Sequence, residues 1–252
     1  MAIPNEAAAQ TNNTFQFWNE FAFSHPLPKA WSTEFNIGNS WTGEQENKSP
    51  FANFAQWYLR GWMHYYPTAR WKVSLFIAYY ENISVDDTLN QKNNEWRWAL
   101  QGAYYFNKLG YTLNSRTRIE SRNIMDDEGI RENVIRFRQQ MRFLYPFGAK
   151  LIRAKVFYAI ASDEVFFKTK SNITGNQFFD RNRFTLGGGY AFADNIQAEL
   201  TYVNEFKPGT TYNDMYHAIQ LNFTFNNFIS NIKHRRNEPQ AQTVTKSAED
   251  DE

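Results

Sequence analysis

The side chains with the clearest chemical potential in this sequence are arginines and glutamates that recur at every second residue. In ENVIRFRQQMRFLY, residues 132–145, arginine alternates with isoleucine, phenylalanine and methionine. A guanidinium group is effectively always charged and pairs with carboxylates or with anionic ligands. Alternation with a period of two predicts a β-strand that has one charged face and one apolar face.

We expect the same alternation in other strands to gather charged side chains on one common interior surface. This predicted lumen cluster consists of Glu20, Glu34, Arg60, Arg97, Arg116, Arg118, Glu120, Arg136, Arg138, Arg142, Arg153, Arg183, Glu199 and Glu205. Lys72, Arg122 and Lys155 lie on the same predicted faces. The arginines concentrate in the predicted sixth to eighth strands, whereas the first, second and tenth strands supply glutamates. A ring of strands would therefore set an acidic wall opposite a basic wall.

Two interpretations of this charged interior stay open. Arginine and glutamate can pair across a narrow lumen and fill it. Alternatively, the opposed walls can form a small pore that passes or binds small anions or zwitterions. Barrels of about eight strands have filled interiors and those of about sixteen hold open channels. A barrel of about twelve strands lies between these sizes, and we favour the filled or nearly closed lumen.

Three other motifs were considered as sites. His217 follows a loop on an outward face, where a serine–histidine pair of a lipid hydrolase would meet membrane lipid, but no serine stands at H-x-S spacing. Gly187-Gly188-Gly189 lacks the helix and the Lys-Ser/Thr of a phosphate loop, which favours a bend or room for arginine side chains. The acidic runs 86–87 and 126–128 match no calcium loop and are typical of solvated charges.

The elements that carry these residues are long for a soluble protein. Each alternating segment runs about ten residues, which suits a tilted strand that crosses a bilayer, whereas strands of soluble proteins usually stop after about five or six. The chain has 23 Phe, 14 Tyr and 8 Trp, yet its mean hydropathy is −0.66, as expected when apolar and polar residues alternate. The longest apolar run, residues 75–80, is too short for a membrane helix.

We therefore predict an all-β fold, an antiparallel transmembrane β-barrel with apolar side chains outward and charged side chains inward. Eleven segments alternate, but single-chain bacterial barrels normally have an even number of strands, so we expect about twelve, in a range of ten to twelve. The segments are 14–24, 31–41, 52–66, 71–82, 95–106, 111–123, a hairpin over 132–164 with its turn at 146–149, 179–192, 196–206 and 216–226. We expect residues 1–12 to be mobile, 13–230 to form the barrel and 231–252 to be a polar disordered tail.

Short stretches of the sequence resemble a known group of proteins. They are Glu164-Val165-Phe166-Phe167, the segment FFDRNRFTLGGGY at residues 178–190, and Phe17-Trp18-Asn19-Glu20. They resemble an uncharacterised family of outer-membrane barrels from Gram-negative bacteria, catalogued as a domain of unknown function. The resemblance spans about residues 14–226. It implies a location in the bacterial outer membrane and a barrel fold, and it brings no activity.

The function that these observations predict is that of a non-enzymatic outer-membrane barrel, either a narrow channel or an accessory subunit of an envelope complex. Its partners would be outer-membrane lipid, lipopolysaccharide and other envelope proteins. A net charge of +1 gives no case for nucleic acid. No cofactor is expected, and the absence of cysteine excludes disulfides and thiolate metal sites. A lipid-modifying hydrolase and a soluble ligand-binding barrel are the alternatives.

Overall fold

Eleven β-strands form one closed barrel in the part of the chain that the structure describes. The computed structural model describes residues 10–44, 47–83, 92–106, 110–209 and 212–228. The strands are β1 (Gln10–Leu27), β2 (Trp31–Thr42), β3 (Asn53–Thr68), β4 (Trp71–Ile83), β5 (Lys92–Tyr105), β6 (Thr112–Met125), β7 (Arg131–Pro146), β8 (Val156–Lys168), β9 (Phe179–Ala193), β10 (Ile196–Lys207) and β11 (Tyr212–Phe225). Among the described residues, no helix combines the length and the apolar character needed to span a membrane. The prediction of an all-β barrel is confirmed.

The barrel closes through a parallel pair, β1 with β11, whereas every other neighbouring pair is antiparallel. In an up-and-down chain with an odd number of strands, the first and last strands point the same way, so the closing pair must be parallel. The structure has eleven strands, which lies within the predicted range of ten to twelve and is one fewer than the number expected. Ring centroids of Phe21 and Phe223 lie 5.3 Å apart, and those of Phe23 and Phe225 lie 5.2 Å apart. This stacking reinforces the closing pair.

The two ends of the barrel differ in the length of their connections. Residues 28–30, 69–70 and 194–195 are short turns at one end, which we name the turn end. Longer connections at 43–52 and 169–178 lie at the opposite end, which we name the loop end. Lys29 and Ala30 have φ values of 59° and 61°, the left-handed geometry that a tight hairpin turn requires.

Strand β8 starts later than the sequence predicts, and its two faces are exchanged. With Arg153 and Lys155 predicted to face the lumen, alternation assigns Val156 and Tyr158 to the outer face, but they are only 8% and 1% exposed inside the barrel, whereas Phe157 is 63% exposed. The connection 147–155 is longer than the predicted turn, and the alternation does not continue across it. A shift of one residue moves every side chain of a strand to the other face.

This longer connection also corrects the prediction for two cations. Arg153 and Lys155 were expected to face the lumen, but both are exposed in the connection before β8 begins. Lys155 has a φ of 64°, which turns the chain sharply just before the strand. Neither side chain therefore belongs to the charged interior.

The predicted mobile segments lie at the two ends of the chain. Residues 10–12 belong to β1, where they pair with residues 212–214 of β11. The other residues of the predicted segment 1–12, the predicted tail 231–252 and the acidic run 86–87 lie outside the described residues.

Side chains on the two faces of the barrel wall are opposite in character to those of a soluble protein. Large apolar side chains from all eleven strands are exposed on the outer face, with Leu75, Trp98 and Leu200 at 60%, 56% and 58%. Charged side chains fill the inner face, where Glu95 and Glu120 are 0% exposed. The apolar residues of this sequence therefore lie mainly outside, and its buried interior is largely polar.

One region of the outer face departs from this pattern. Polar side chains from β6 to β9 form a short hydrogen-bonded patch in the middle of the wall. Thr117 donates to Gln139, Gln139 Nε2 donates to Ser115 Oγ over 2.8 Å, and Asn182 Nδ2 donates to Asp163 Oδ1 over 2.9 Å. These bonds link neighbouring strands and satisfy polar groups that face outward.

Candidate functional site: a charged lumen with a cavity at the loop end

The lumen contains a network of ion pairs that involves most strands. Among the described residues, ten arginines share seven carboxylates. The arginines are Arg60, Arg97, Arg116, Arg118, Arg122, Arg136, Arg138, Arg142, Arg181 and Arg183, and the carboxylates are Glu20, Glu95, Glu120, Glu164, Asp180, Glu199 and Glu205. Because cations outnumber anions in these pairs, the interior carries a net positive charge.

Glu120 is the centre of the network on the β6–β7 wall. Its neighbours follow from the register, which places Glu120 opposite Arg136 and Arg118 opposite Arg138. Glu120 accepts hydrogen bonds from Arg118 Nη1 at 3.0 Å, Arg138 Nη1 at 2.8 Å and Arg136 Nη2 at 2.6 Å. A buried carboxylate is stable only when its charge and lone pairs are satisfied, and three guanidinium groups do this here.

Glu164 is a second centre, and the sequence analysis missed it. Arg138 holds it with two parallel hydrogen bonds, Nε to Oε1 at 3.0 Å and Nη2 to Oε2 at 2.9 Å. Arg116 Nη2 adds a third at 2.9 Å. The residue was overlooked because the predicted facing of β8 was inverted. Every second residue back from Glu164, through Ser162 to Tyr158, lies on the same face of β8, and this face contains polar as well as apolar side chains.

Glu95 was also missed, because it stood at the predicted start of the fifth strand. The structure extends β5 back to Lys92 and buries Glu95 completely. Arg97 and Arg122 both hold it with two hydrogen bonds, and the closest contact of each is 2.6 Å and 2.5 Å. The Arg97 guanidinium lies 3.6 Å from the ring centroid of Tyr80, which adds a cation–π contact. Because Glu95 stands two residues before Arg97, alternation places both side chains on the same face of β5.

A β-bulge explains why two consecutive residues of β9 both reach the network. The β8–β9 register shifts between Phe166 and Phe167, next to Asp180 and Arg181. Asp180 is 1% exposed, and Arg181 bonds both to it at 3.1 Å and to Glu205 at 2.6 Å. A bulge places an extra residue on one strand and breaks the alternation. Strict alternation could not have predicted this pair.

The remaining predicted lumen residues lie inside the barrel in smaller groups. Glu20 accepts hydrogen bonds from Arg60 and from the hydroxyl of Tyr58. Glu34 lies 3.6 Å from His64 Nε2. With Arg142–Glu199 and Arg183–Glu205, every member of the predicted lumen cluster except Glu34 and Arg153 forms an ion pair between an arginine and a carboxylate.

Several contacts reach across the lumen instead of along its wall. Arg142 on β7 bonds to Glu199 on β10 at 2.7 Å. The guanidinium of Arg118 on β6 lies 4.9 Å from the ring centroid of Trp62 on β3. Arg183 on β9 lies 5.0 Å from the ring centroid of Trp18 on β1. Each contact passes over two intervening strands, so side chains occupy much of the cross-section.

The glycine run of β9 makes room for an aromatic ring, where we had considered a bend or room for arginine. The Tyr158 ring lies over Gly189, and a Cβ atom there would overlap the ring. Its hydroxyl donates to Glu199 Oε1 over 3.2 Å. The same arrangement recurs at Gly38 under the ring of Tyr58. These glycines thus let two tyrosines lie flat inside the barrel.

A cavity of about 560 Å³ occupies the loop-end half of the lumen. The strand residues that line it belong to the halves nearest the long connections, except that Glu20 and Gln220 lie just past the middle of β1 and β11. Its charged lining residues are Arg60, Arg97, Arg122, Arg136, Arg138, Arg181, Arg183 and Lys207, together with Glu20 and Glu205. Aromatic rings and amides complete the wall, among them Trp18, Tyr80 and Asn82. The cavity is therefore polar, basic and partly aromatic.

His217, the candidate for hydrolase chemistry, lies on the outer face near the loop end. Its Nδ1 lies 2.6 Å from the Tyr202 hydroxyl, and its Nε2 lies 3.2 Å from Asn13 Oδ1. The Phe15 ring stacks on it at 5.4 Å. Its hydrogen-bond partners among the described residues include no serine. Within the same residues, no group of three His, Asp or Glu side chains could hold a metal ion.

Comparison with known proteins adds a family. Residues 15–216 match the family model described as "Protein of unknown function (DUF2490)". No curated protein matches the chain.

Proposed function

This chain belongs to the DUF2490 family of proteins of unknown function, and we propose that it is a non-enzymatic β-barrel of the bacterial outer membrane. One observation carries the proposal, namely that the apolar face of the barrel wall is outside. Monomeric soluble proteins rarely expose apolar patches larger than a few hundred Å². Here exposed apolar side chains continue around all eleven strands, and a hydrocarbon surround is the environment that suits them.

Aromatic residues support the same placement. On the outer face of β4, Trp71 and Tyr79 flank Val73, Leu75 and Ile77. Barrels of the outer membrane carry aromatic girdles at both edges of an apolar band about 25 Å tall. At about 3.3 Å per residue and a tilt near 40°, the eight-residue interval from Trp71 to Tyr79 spans about 20 Å along the membrane normal. This agrees with the height of such a band.

For the interior, the geometry favours an accessory barrel with a blocked lumen over a general pore. Arg142–Glu199, Arg118–Trp62 and Arg183–Trp18 each bridge the cross-section. Buried Arg–carboxylate pairs with several hydrogen bonds are costly to disrupt. The protein would then serve an envelope complex or bind a ligand, in contact with outer-membrane lipid and lipopolysaccharide. A narrow channel is the second candidate, because the cavity at the loop end is polar.

Conductance in planar lipid bilayers tests the interior. We expect the purified full chain to insert, as shown by protease protection in lipid vesicles, and to give no stable conductance steps. Regular steps that change when Arg142→Gln opens the lumen would assign the narrow channel. A chain that stays monomeric in buffer without detergent and ignores vesicles would contradict the outer-membrane proposal and support a soluble ligand-binding barrel.

Lipid hydrolysis is the test of the enzyme alternative. We expect no release of fatty acid from phospholipid or lipopolysaccharide, because the polar contacts of His217 are Tyr202, Asn204 and Asn13. Release that disappears in His217→Ala, with the barrel still folded, would show that the protein is an enzyme.

A further inference from the structure

The cavity at the loop end has a charge imbalance that the rest of the lumen does not explain. Eight cationic side chains line it, against two carboxylates. All seven lining arginines form ion pairs, and four carboxylates outside the lining raise the count to six carboxylates against eight cations. These four are Glu95, Glu120, Glu164 and Asp180. Polar walls of low dielectric strengthen the attraction for an anion in such a space. The cavity thus favours a negatively charged occupant.

Some hydrogen-bonding groups of these lining residues are unused. Arg122 is 7% exposed, and its Nη1 is buried without a hydrogen-bond partner in the described chain. Arg60 Nε is in the same position. Lys207 lines the cavity and forms no ion pair with any described carboxylate. A buried donor left unsatisfied is destabilising, and an anionic ligand that reaches it would accept its hydrogen bond.

The remaining wall has the features of a sugar site. Trp18, Tyr58 and Tyr80 contribute aromatic rings beside the guanidinium groups of Arg183, Arg60 and Arg97. Gln56 and Asn82 contribute amides that are hydrogen-bonded to each other. Flat rings pack against the apolar face of a sugar, while amides bond to its hydroxyls. A volume of about 560 Å³ is typical of small-molecule sites.

We propose that the loop-end cavity binds a phosphorylated sugar, with the phosphate toward Arg122 and Lys207 and the hydroxyls toward the amides. This inference goes beyond the membrane location and depends only on the interior of the barrel. The phosphosugar can be a free metabolite or the headgroup of a glycolipid. Both share the chemistry that the cavity recognises, namely a dianionic phosphate ester next to several hydroxyls.

Isothermal titration calorimetry on the folded full chain in detergent tests the proposal, with glucose 6-phosphate, inorganic phosphate and glucose as probes. We expect glucose 6-phosphate to bind more tightly than either part alone. Lys207→Gln should weaken it at least tenfold, because the substitution removes a charged hydrogen-bond donor to the phosphate. The same substitution at Lys72, near the turn end of β4 and outside the cavity lining, should leave affinity unchanged.

Competition separates the two sources. Lipopolysaccharide that displaces glucose 6-phosphate from the wild-type chain but not from Lys207→Gln assigns a glycolipid headgroup, and absence of displacement assigns a free phosphosugar. The proposal is overturned if glucose 6-phosphate does not bind to a chain shown to be folded by circular dichroism, or if Lys72→Gln weakens binding as much as Lys207→Gln does. Vesicle insertion is measured separately, so either failure leaves the outer-membrane proposal standing.

Discussion

A single charge placed on the outer face gives a sharp prediction about what surrounds the barrel. Leu75 lies on β4 midway between Trp71 and Tyr79, and its side chain is 60% exposed. Its cross-strand neighbours on the outer face are Met63 and Leu100. In a bilayer, Leu75→Arg would put a guanidinium group near the middle of the hydrocarbon.

The expected cost follows from that depth. An arginine on the lipid face of an outer-membrane barrel costs about 2–4 kcal/mol at the midplane and about 0–1 kcal/mol near the interface. The folding equilibrium in lipid should therefore fall by about 30-fold to several hundred-fold, since 1.4 kcal/mol is a factor of about ten. On a soluble barrel, the same exposed substitution should stay within about 0.5 kcal/mol.

Leu151 provides a matched control. It is also 60% exposed, but it lies in the connection 147–155 at the turn end, outside the strands. Leu151→Arg should change the free energy of unfolding by less than about 1 kcal/mol. Urea titration of both variants in lipid vesicles, followed by tryptophan fluorescence, measures the difference. Equal midpoints for Leu75→Arg, Leu151→Arg and the wild type would refute a lipid-facing β4.

Three further predictions concern the interior and the loop end. Arg138→Glu removes a partner of Glu120 and Glu164 and adds a third carboxylate, so it should lower the free energy of unfolding in urea by about 3–5 kcal/mol or more. Arg153→Glu, in the exposed connection, should leave that free energy nearly unchanged. Gly189→Ala should lower the free energy of unfolding by about 1–3 kcal/mol in the same assay, because the new Cβ atom would meet the Tyr158 ring. Gly102→Ala should not destabilise the barrel, because no atom lies within 4 Å of the position that its Cβ would take. Equal effects of the two substitutions would contradict the role of the ring. Glu132 accepts hydrogen bonds from Ser171 Oγ at 2.6 Å and from the backbone amides of Asn172 and Ile173. Glu132→Gln should speed tryptic cleavage after Lys170 about fivefold, as expected if about 1 kcal/mol of local stability is lost. An unchanged cleavage rate would show that these bonds do not hold the loop.

Sequence reasoning found the strands whose charged and apolar residues contrast strongly. In β7, arginines alternate with large apolar residues, and the structure buries Arg136 and Arg138 while Ile135 and Phe137 are exposed. Strand ends were less visible. Strand β1 extends to Gln10 because residues 10–13 pair with β11, a contact between opposite ends of the chain that no local pattern reports.

The missed features share a physical cause, because each depends on the geometry of a connection or on pairing between strands. The two faces of β8 were predicted the wrong way round, because no local sequence pattern shows that the connection before β8 runs to Lys155. Asp180 and Arg181 both face the network through a bulge, which alternation cannot express. The parallel closure of β1 with β11 was not expected, because the eleven alternating segments were weighed against the even strand number that is usual for bacterial barrels.

The cavity could not be predicted from the sequence. The alternation indicates that Arg60, Arg122 and Arg183 point inward, but it does not show how high each lies in the barrel. That height depends on register, and the register places these three arginines around one space at the loop end. Whether Arg122 Nη1 keeps a partner likewise depends on how Arg97 and Arg122 divide Glu95.

The most direct measurement of the central claim is the oxygen accessibility of nitroxide labels along β4 in lipid vesicles. The sequence contains no cysteine, so single cysteines at positions 73 to 78 can be labelled without background. Our account predicts high collision rates with lipid-soluble oxygen at 73, 75 and 77, greatest at 75, and low rates at 74, 76 and 78. Labels at 73, 75 and 77 that instead collide mainly with a water-soluble nickel reagent would contradict it.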